Sequence, residues 1–202
     1  MSCERELKYQ LPIGCDSQDI FSHPCILPYL SGKTQKITMH STYFDTRSGA
    51  LGAMKSALRL RLENELPVVT LKTVLSINGA FSKRGEWEVS ARSIAEALPQ
   101  LAQAGAPGEI LRELTGKELC VTAQFSFIRE CVLLQCGDFS AHLCVDIGYL
   151  SPDGIVKTPL REVELELVSG DVNAMCAKGE ALRAAFSMCA EPRSKLCRAR
   201  GY

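Results

Sequence analysis

The 202-residue chain lacks a net charge, its 23 Lys and Arg balancing 23 Asp and Glu. A neutral molecule has no overall field to draw in nucleic acid or an anionic membrane, so recognition of a charged ligand must come from local arrangement. No charged segment followed by an apolar run opens the chain, which argues against a signal peptide. No apolar stretch approaches the length of a membrane span. Its three histidines are scattered and none of its ten cysteines stands in a C-x2-C pair, which argues against a zinc site. Outside a secretory context the cysteines are expected to be reduced, small hydrophobic side chains of a cytoplasmic protein. Internal repeats and low-complexity linkers are also missing, so residues 1–202 read as a single domain, long enough to bury a core without disulfides.

What is present is charge at alternate positions. Glu4, Glu6 and Lys8 fall on every second residue of Met1–Gln10, and Glu162, Glu164 and Glu166 repeat the spacing in REVELEL. Successive side chains of a strand point to opposite faces, so each set lines one face. The same period runs through SALRLRLEN, where Leu58, Leu60 and Leu62 oppose Arg59 and Arg61. It continues in VVTLKTV, with Lys72 on the polar face, and in KRGEWEVS, where Arg84, Glu86 and Glu88 oppose Trp87 and Val89. Further strands are expected at 35–46, 123–135 around Arg129, 140–148 around Asp146, and 156–168. Turns are expected at 47–52, at the Asn-Gly of 76–80, and at 151–154. A short helix from Asp16 or Ser17 to about Ser31 is interrupted by Pro24 and Pro28. Others are expected at 93–104 and 107–114, and after Ser169-Gly170-Asp171, where Val172, Met175, Cys176, Leu182 and Phe186 keep helical spacing. The basic tail RSKLCRARGY shows no period.

About eight strands without regular β-α alternation exclude a doubly wound parallel sheet and leave an α+β, β-dominated fold. Two arrangements suit the charged faces. One is an antiparallel sheet with its polar face in water. The other is a closed barrel whose charged faces point inward, with the apolar faces outside under the helices. Nearly every strand carries Arg, Lys or Glu on that face, and several carry both signs together. Three glutamates at alternate positions repel unless a cation neutralises them. Carboxylates without His or Cys favour a hard ion such as Mg2+ or Mn2+. Arg and Lys along the remaining wall favour a ligand rich in phosphate oxygens.

ERELK at residues 4–8 resembles the ExExK signature of the CYTH superfamily, the triphosphate tunnel metalloenzymes. The rest follows that family's order: TYFDT at 42–46, LRLR at 58–61, the lysine of TLK at 72, RGEWE at 84–88, IRE around Arg129, VDIG around Asp146 and EVELELVSGD at 162–171. The resemblance is closest to the bacterial inorganic triphosphatases. It implies a closed eight-stranded antiparallel tunnel with helices packed outside, hydrolysing tripolyphosphate with Mg2+ or Mn2+. It matches Glu4 and Glu6 to one metal-binding pair and two of Glu162, Glu164 and Glu166 to a second. Lys8, Arg59, Arg61, Lys72, Arg84 and Arg129 match the phosphate-binding wall, and Glu86, Glu88 and Asp146 match positions that assist the metal or position water. Glu164 and Glu88 are thereby candidates to orient the attacking water, with Lys8 beside them. Tyr43 and Asp45 are read as mainly structural. The tail departs from the family spacing, so either Lys195 keeps its phosphate-binding place or Arg198 takes it over. In many relatives the RGY at 200–202 precedes a helical CHAD domain, which implies such a partner in a longer chain. Within the family the alternatives are a thiamine triphosphatase or a nucleotide-triphosphate enzyme such as an adenylate cyclase; outside it, a non-catalytic polyphosphate-binding module.

Overall fold

The computed structural model describes residues 2–152 and 155–200. Eight strands carry the chain: β1 (Ser2–Gln10), β2 (Leu30–Thr46), β3 (Ser56–Glu63), β4 (Leu66–Asn78), β5 (Phe81–Ser90), β6 (Leu119–Gln135), β7 (Phe139–Ser151) and β8 (Thr158–Gly170). They are hydrogen-bonded in the order β5-β4-β3-β2-β6-β7-β8-β1, and β1 pairs back onto β5. Every pairing is antiparallel, so the sheet closes as a barrel and its edges vanish. A two-residue ninth strand, β9 (Cys189–Ala190), pairs with Tyr9 and Gln10, the part of β1 that β5 leaves free.

The apolar faces lie outside under helices, as the alternation requires. Leu7, Tyr9, Val145, Val163 and Leu165 pack against Ile20 of α1 (Ser17–Ser22) and, across the same cluster, against Met175 and Leu182 of α5 (Val172–Ala185). Leu58, Val69, Leu71 and Trp87 pack against Leu51 of α2 (Ala50–Ala53), Ala97 and Leu101 of α3 (Ile94–Gln103), and Ile110 and Leu114 of α4 (Gly108–Leu114). A third cluster lies on the inward faces: Met39, Tyr43, Phe125, Phe127, Leu150 and Leu160, covered by Leu196 and Ala199 of α6 (Lys195–Ala199). The lumen is therefore polar along one part and filled with apolar side chains along another, where the alternation by itself implied a wholly polar interior.

Several elements differ from the sequence expectation. The first helix stops at Ser22, a separate 3-10 turn occupies Leu27–Tyr29, and β2 begins at Leu30 rather than 35. Its early part pairs with β6 at Leu30 and Ser31 and again from Gln35, with an irregularity between them. Residues 76–78, expected in a turn, continue β4, and the hairpin tightens to Gly79-Ala80. Part of the turn at 47–52 is α2, and Ser169 and Gly170 end β8 rather than heading the helix that Asp171 caps. The aperiodic tail forms α6, capped by the Ser194 hydroxyl. Ser151 ends β7, while the rest of its expected turn at 153–154 and the tail's Gly201 and Tyr202 lie outside the described residues.

Candidate functional site

Register builds the site. Across β1 and β8, Glu6 faces Glu166, Lys8 faces Glu164 and Gln10 faces Glu162. On the other side of β1, Glu4 faces Arg84 and Glu6 faces Ser82. Around the ring Lys72 faces Glu86, Arg59 lies between Thr70 and Tyr43, and Asp146 lies between Arg129 and Glu162. These faces turn inward on a cavity of about 1120 Å³. Lys8, Arg59, Arg61, Lys72, Arg84, Arg129 and Lys195 all line it.

The carboxylates gather in two triads, Glu4–Glu6–Glu166 and Asp146–Glu162–Glu164, each with oxygens within 4.8 Å of one another. The second triad is buried and answered by cations of the chain itself. Lys195 Nζ lies 2.9 Å from Asp146 Oδ2 and 2.9 Å from Glu164 Oε1, and also contacts Glu162. Arg198 pairs with Glu162. Arg129 donates to both oxygens of Asp146 at 2.8 Å and pairs with Glu164. Burial alone would raise the Glu164 carboxyl, but Lys195, Arg129 and Lys8 outweigh it and hold it well below the usual range. Lys195 and Arg198 thus both serve this triad from one face of α6, three residues apart.

In the first triad Glu4 and Glu6 are answered by cations and Glu166 less fully. Glu4 accepts from Lys72 Nζ at 2.8 and 3.0 Å, Glu6 accepts from Arg84 and from Ser82 Oγ at 3.0 Å, and Glu166 accepts from Arg129 at 3.2 Å. Burial, reinforced by Glu164, Glu4 and Glu6, outweighs Arg129 and pushes Glu166 up to about 7. A hard cation taking oxygen donors would relieve that crowding, so this donor set fits a divalent ion. Lys8 bridges the triads, with Nζ 3.3 Å from Glu6 and 3.6 Å from Glu164.

Arg59 and Arg61 each keep a buried guanidinium N–H without an acceptor. Among the described residues, Arg59 donates to Thr70 Oγ1 at 3.2 Å and faces Tyr43 across β2 and β3, with no carboxylate in salt-bridge contact. The Nε atoms of both arginines are buried without a hydrogen-bond partner. Burial, then Arg59 and Arg129, hold Arg61 below the ordinary arginine value despite Glu63 and Glu88. Glu88 is exposed; it accepts from Thr70 at 3.1 Å and lies 3.8 Å from Arg61. Glu86 sits 3.1 Å from Lys72 Nζ. Glu86 and Glu88 belong to neither triad.

Some contributors carried no sequence signal. Tyr43, read as structural, faces the cavity; burial would raise its phenol, yet Arg59, Lys72 and Lys195 outweigh that and lower it. Its alternation with Thr42 and Phe44 placed it on a face, shared on β2 with Asp45, which also lines the cavity. Asp45 accepts from the amides of Thr46, Leu51 and Gly52 at 2.8, 2.9 and 3.1 Å. Glu191, unremarked in the sequence, ties the tail to β1 through Gln10 Nε2 at 2.7 Å and through its own amide on the Lys8 carbonyl at 3.0 Å.

Residues 2–197 match the CYTH domain. Solved structures with the same fold include a Hippeastrum protein named for adenylyl cyclase and for a dominant triphosphatase activity. It is 20% identical with a TM-score of 0.65, the match covering 98% of this chain and 95% of that one. A Bacillus halodurans protein bearing the name adenylate cyclase is 18% identical, TM-score 0.55, with 98% of each chain covered. A Pyrococcus furiosus protein is 14% identical, TM-score 0.53, with 96% and 98% covered. With the family matched over nearly its whole length and the inward-facing charged barrel in place, the chain belongs to the CYTH domain family.

Proposed function

We propose that this chain is a metal-dependent triphosphatase that hydrolyses inorganic tripolyphosphate to pyrophosphate and phosphate. The observation that carries the reading is two unmet needs in one cavity: buried guanidinium N–H groups on Arg59 and Arg61 without acceptors, and a carboxylate, Glu166, crowded by Glu164, Glu4 and Glu6 and pushed up to about 7. A linear polyanion accompanied by a divalent ion satisfies both. The triphosphatase and cyclase names of the fold's relatives agree with a triphosphate ligand.

Glu4, Glu6 and Glu166 would hold Mg2+ or Mn2+, which supplies charge neutralisation on the phosphoryl group as its bridging bond breaks. Arg59, Arg61, Lys72, Arg84 and Arg129 bind the other phosphates and fix the register of the chain, so the reacting phosphorus is set by position. Glu164, kept ionised by Lys195, Arg129 and Lys8, accepts a hydrogen bond from the attacking water. Lys8 beside it donates to a phosphate oxygen. A loose phosphoryl transition state gains most from this preorganised field and little from a strong base.

A second reading, an organic triphosphate as substrate, draws on the exposed apolar Val74, Leu75 and Ile77, which line the same cavity as the basic wall. Phosphate release from tripolyphosphate, ATP and thiamine triphosphate, each with Mg2+, Mn2+ or chelator, separates the two. Metal-dependent release from tripolyphosphate alone supports the proposal; preference for an organic triphosphate selects the second reading. Binding without release from any substrate identifies a polyphosphate-binding module and sinks both. Glu4→Gln is expected to abolish turnover while leaving the circular dichroism spectrum intact.

A further inference from the structure

Cys131 on β6 and Cys144 on β7 are register partners, 9% and 1% exposed, and both are free thiols. They share the inward faces of Arg129 and Asp146, two residues away on each strand. The hairpin decides what kind of pair they are. Cys136 donates its N–H to the Phe139 carbonyl at 2.9 Å, which makes 136 and 139 a hydrogen-bonded pair. The register from there runs without a shift, so alternation makes 131 and 144 a non-hydrogen-bonded pair. In such pairs the Cα atoms are about 4.5 Å apart and the side chains are closest, within the roughly 4.4–6.8 Å that a disulfide spans. In no other described strand pairing do two cysteines face each other.

We propose that Cys131 and Cys144 form a redox modification site, a dithiol that small hydroperoxide-class oxidants convert to a cross-strand disulfide inside the tunnel wall. Cys131 sulfur attacks a peroxide oxygen; the S–O bond forms, the O–O bond breaks, and the leaving hydroxide takes the thiol proton as water. Cys144 sulfur then displaces the sulfenic oxygen; the S–S bond forms, the S–O bond breaks, and a second water leaves with the Cys144 proton. Two thiols are oxidised and one peroxide is reduced to two waters. The bond draws the Cβ atoms from roughly 4.5–5.5 Å to about 3.8 Å. That pull falls on Arg129, the next inward residue of β6, and on Glu164, which faces Cys144 across β7 and β8. Resting on the proposed triphosphatase reading, the disulfide lowers turnover.

The test is to treat the full chain with hydrogen peroxide, alkylate the remaining thiols and map the peptides by mass. A 131–144 linked peptide, lighter by two hydrogens and released by dithiothreitol, is expected. Recovery of both cysteines as alkylated thiols, or linked elsewhere, overturns the site, and this readout needs no variant to fold. Cys131→Ser is expected to leave Cys144 uncrosslinked. In parallel, tripolyphosphate hydrolysis should fall about tenfold or more on oxidation and return with dithiothreitol. A mapped crosslink with unchanged turnover overturns the coupling to catalysis. If the untreated chain hydrolyses no triphosphate, the proposed function fails while the peptide map still decides the redox site.

Discussion

Arg59 is a charge whose removal would leave no carboxylate orphaned, because among the described residues its hydrogen bond goes to Thr70 and no carboxylate lies in salt-bridge contact. Arg59→Ala should therefore leave the thermal midpoint unchanged or slightly raised, yet lower kcat/KM for tripolyphosphate about tenfold to a hundredfold, the worth of one hydrogen bond to a charged group. Initial-rate kinetics beside a melting curve check both halves. Glu191 has the reverse character. It is buried and accepts from Arg193 Nε at 2.8 Å, Arg193 Nη2 at 2.9 Å and Gln10 Nε2 at 2.7 Å. Burial alone would raise its carboxyl, but these donors outweigh it and bring it to about 2, against 4.5 ordinarily. The folded value is the lower one, so its stabilisation is complete above pH 4.5 and is lost as pH falls through about 2. Glu191→Gln should cost about 1–3 kcal/mol at neutral pH, and the gap to wild type should close toward pH 2 in urea midpoints.

At the scale of elements, the end of β8 shows how a short motif is spent. Ser169 Oγ lies 2.8 Å from Ser140 Oγ, Gly170 has φ +94°, and Asp171 accepts from the Asn173 amide at 2.9 Å to start α5. A Cβ on Gly170 would stand 2.2 Å from the Asp138 carbonyl oxygen and 2.6 Å from Phe139 Cα. Backbone cannot yield as a side-chain tip can, and the left-handed conformation adds its own penalty. Gly170→Ala should destabilise by about 2–4 kcal/mol, seen as a lower denaturant midpoint with an unchanged slope. The strands on either side were legible from their period because one face of each meets apolar helices. The ends were not: β2 begins at Leu30 and Ser31 and β4 runs on through 76–78 because the neighbouring strand pairs with them. No property of those residues alone signals that neighbour.

For the whole molecule, the interior charge distribution predicts mutual stabilisation with its ligands. Ligands bound only by the folded state at a hundred times their dissociation constants add about 2.7 kcal/mol, which for a chain of this size raises the midpoint by roughly 5–10 °C. Tripolyphosphate with Mg2+ or Mn2+ should produce such a shift, tripolyphosphate with chelator a smaller one, and the difference should vanish in Glu6→Gln. Differential scanning fluorimetry measures all three.

The sequence by itself determined which residues share a face, since strand alternation is local geometry, and so it named the acidic strands and the basic wall. It also put both signs of charge on those faces, which pointed toward an enclosed polyanion site. Only tertiary structure decided that the charged faces turn inward along part of the lumen while Phe125, Phe127 and Leu160 fill the rest. It alone sorted the carboxylates into one triad answered by Lys195, Arg198 and Arg129 and another in which Glu166 is crowded by its neighbouring carboxylates. The reason is physical: burial and counterion distance are set by ring closure and register between strands far apart in the chain, and the alternation within a single strand contains neither.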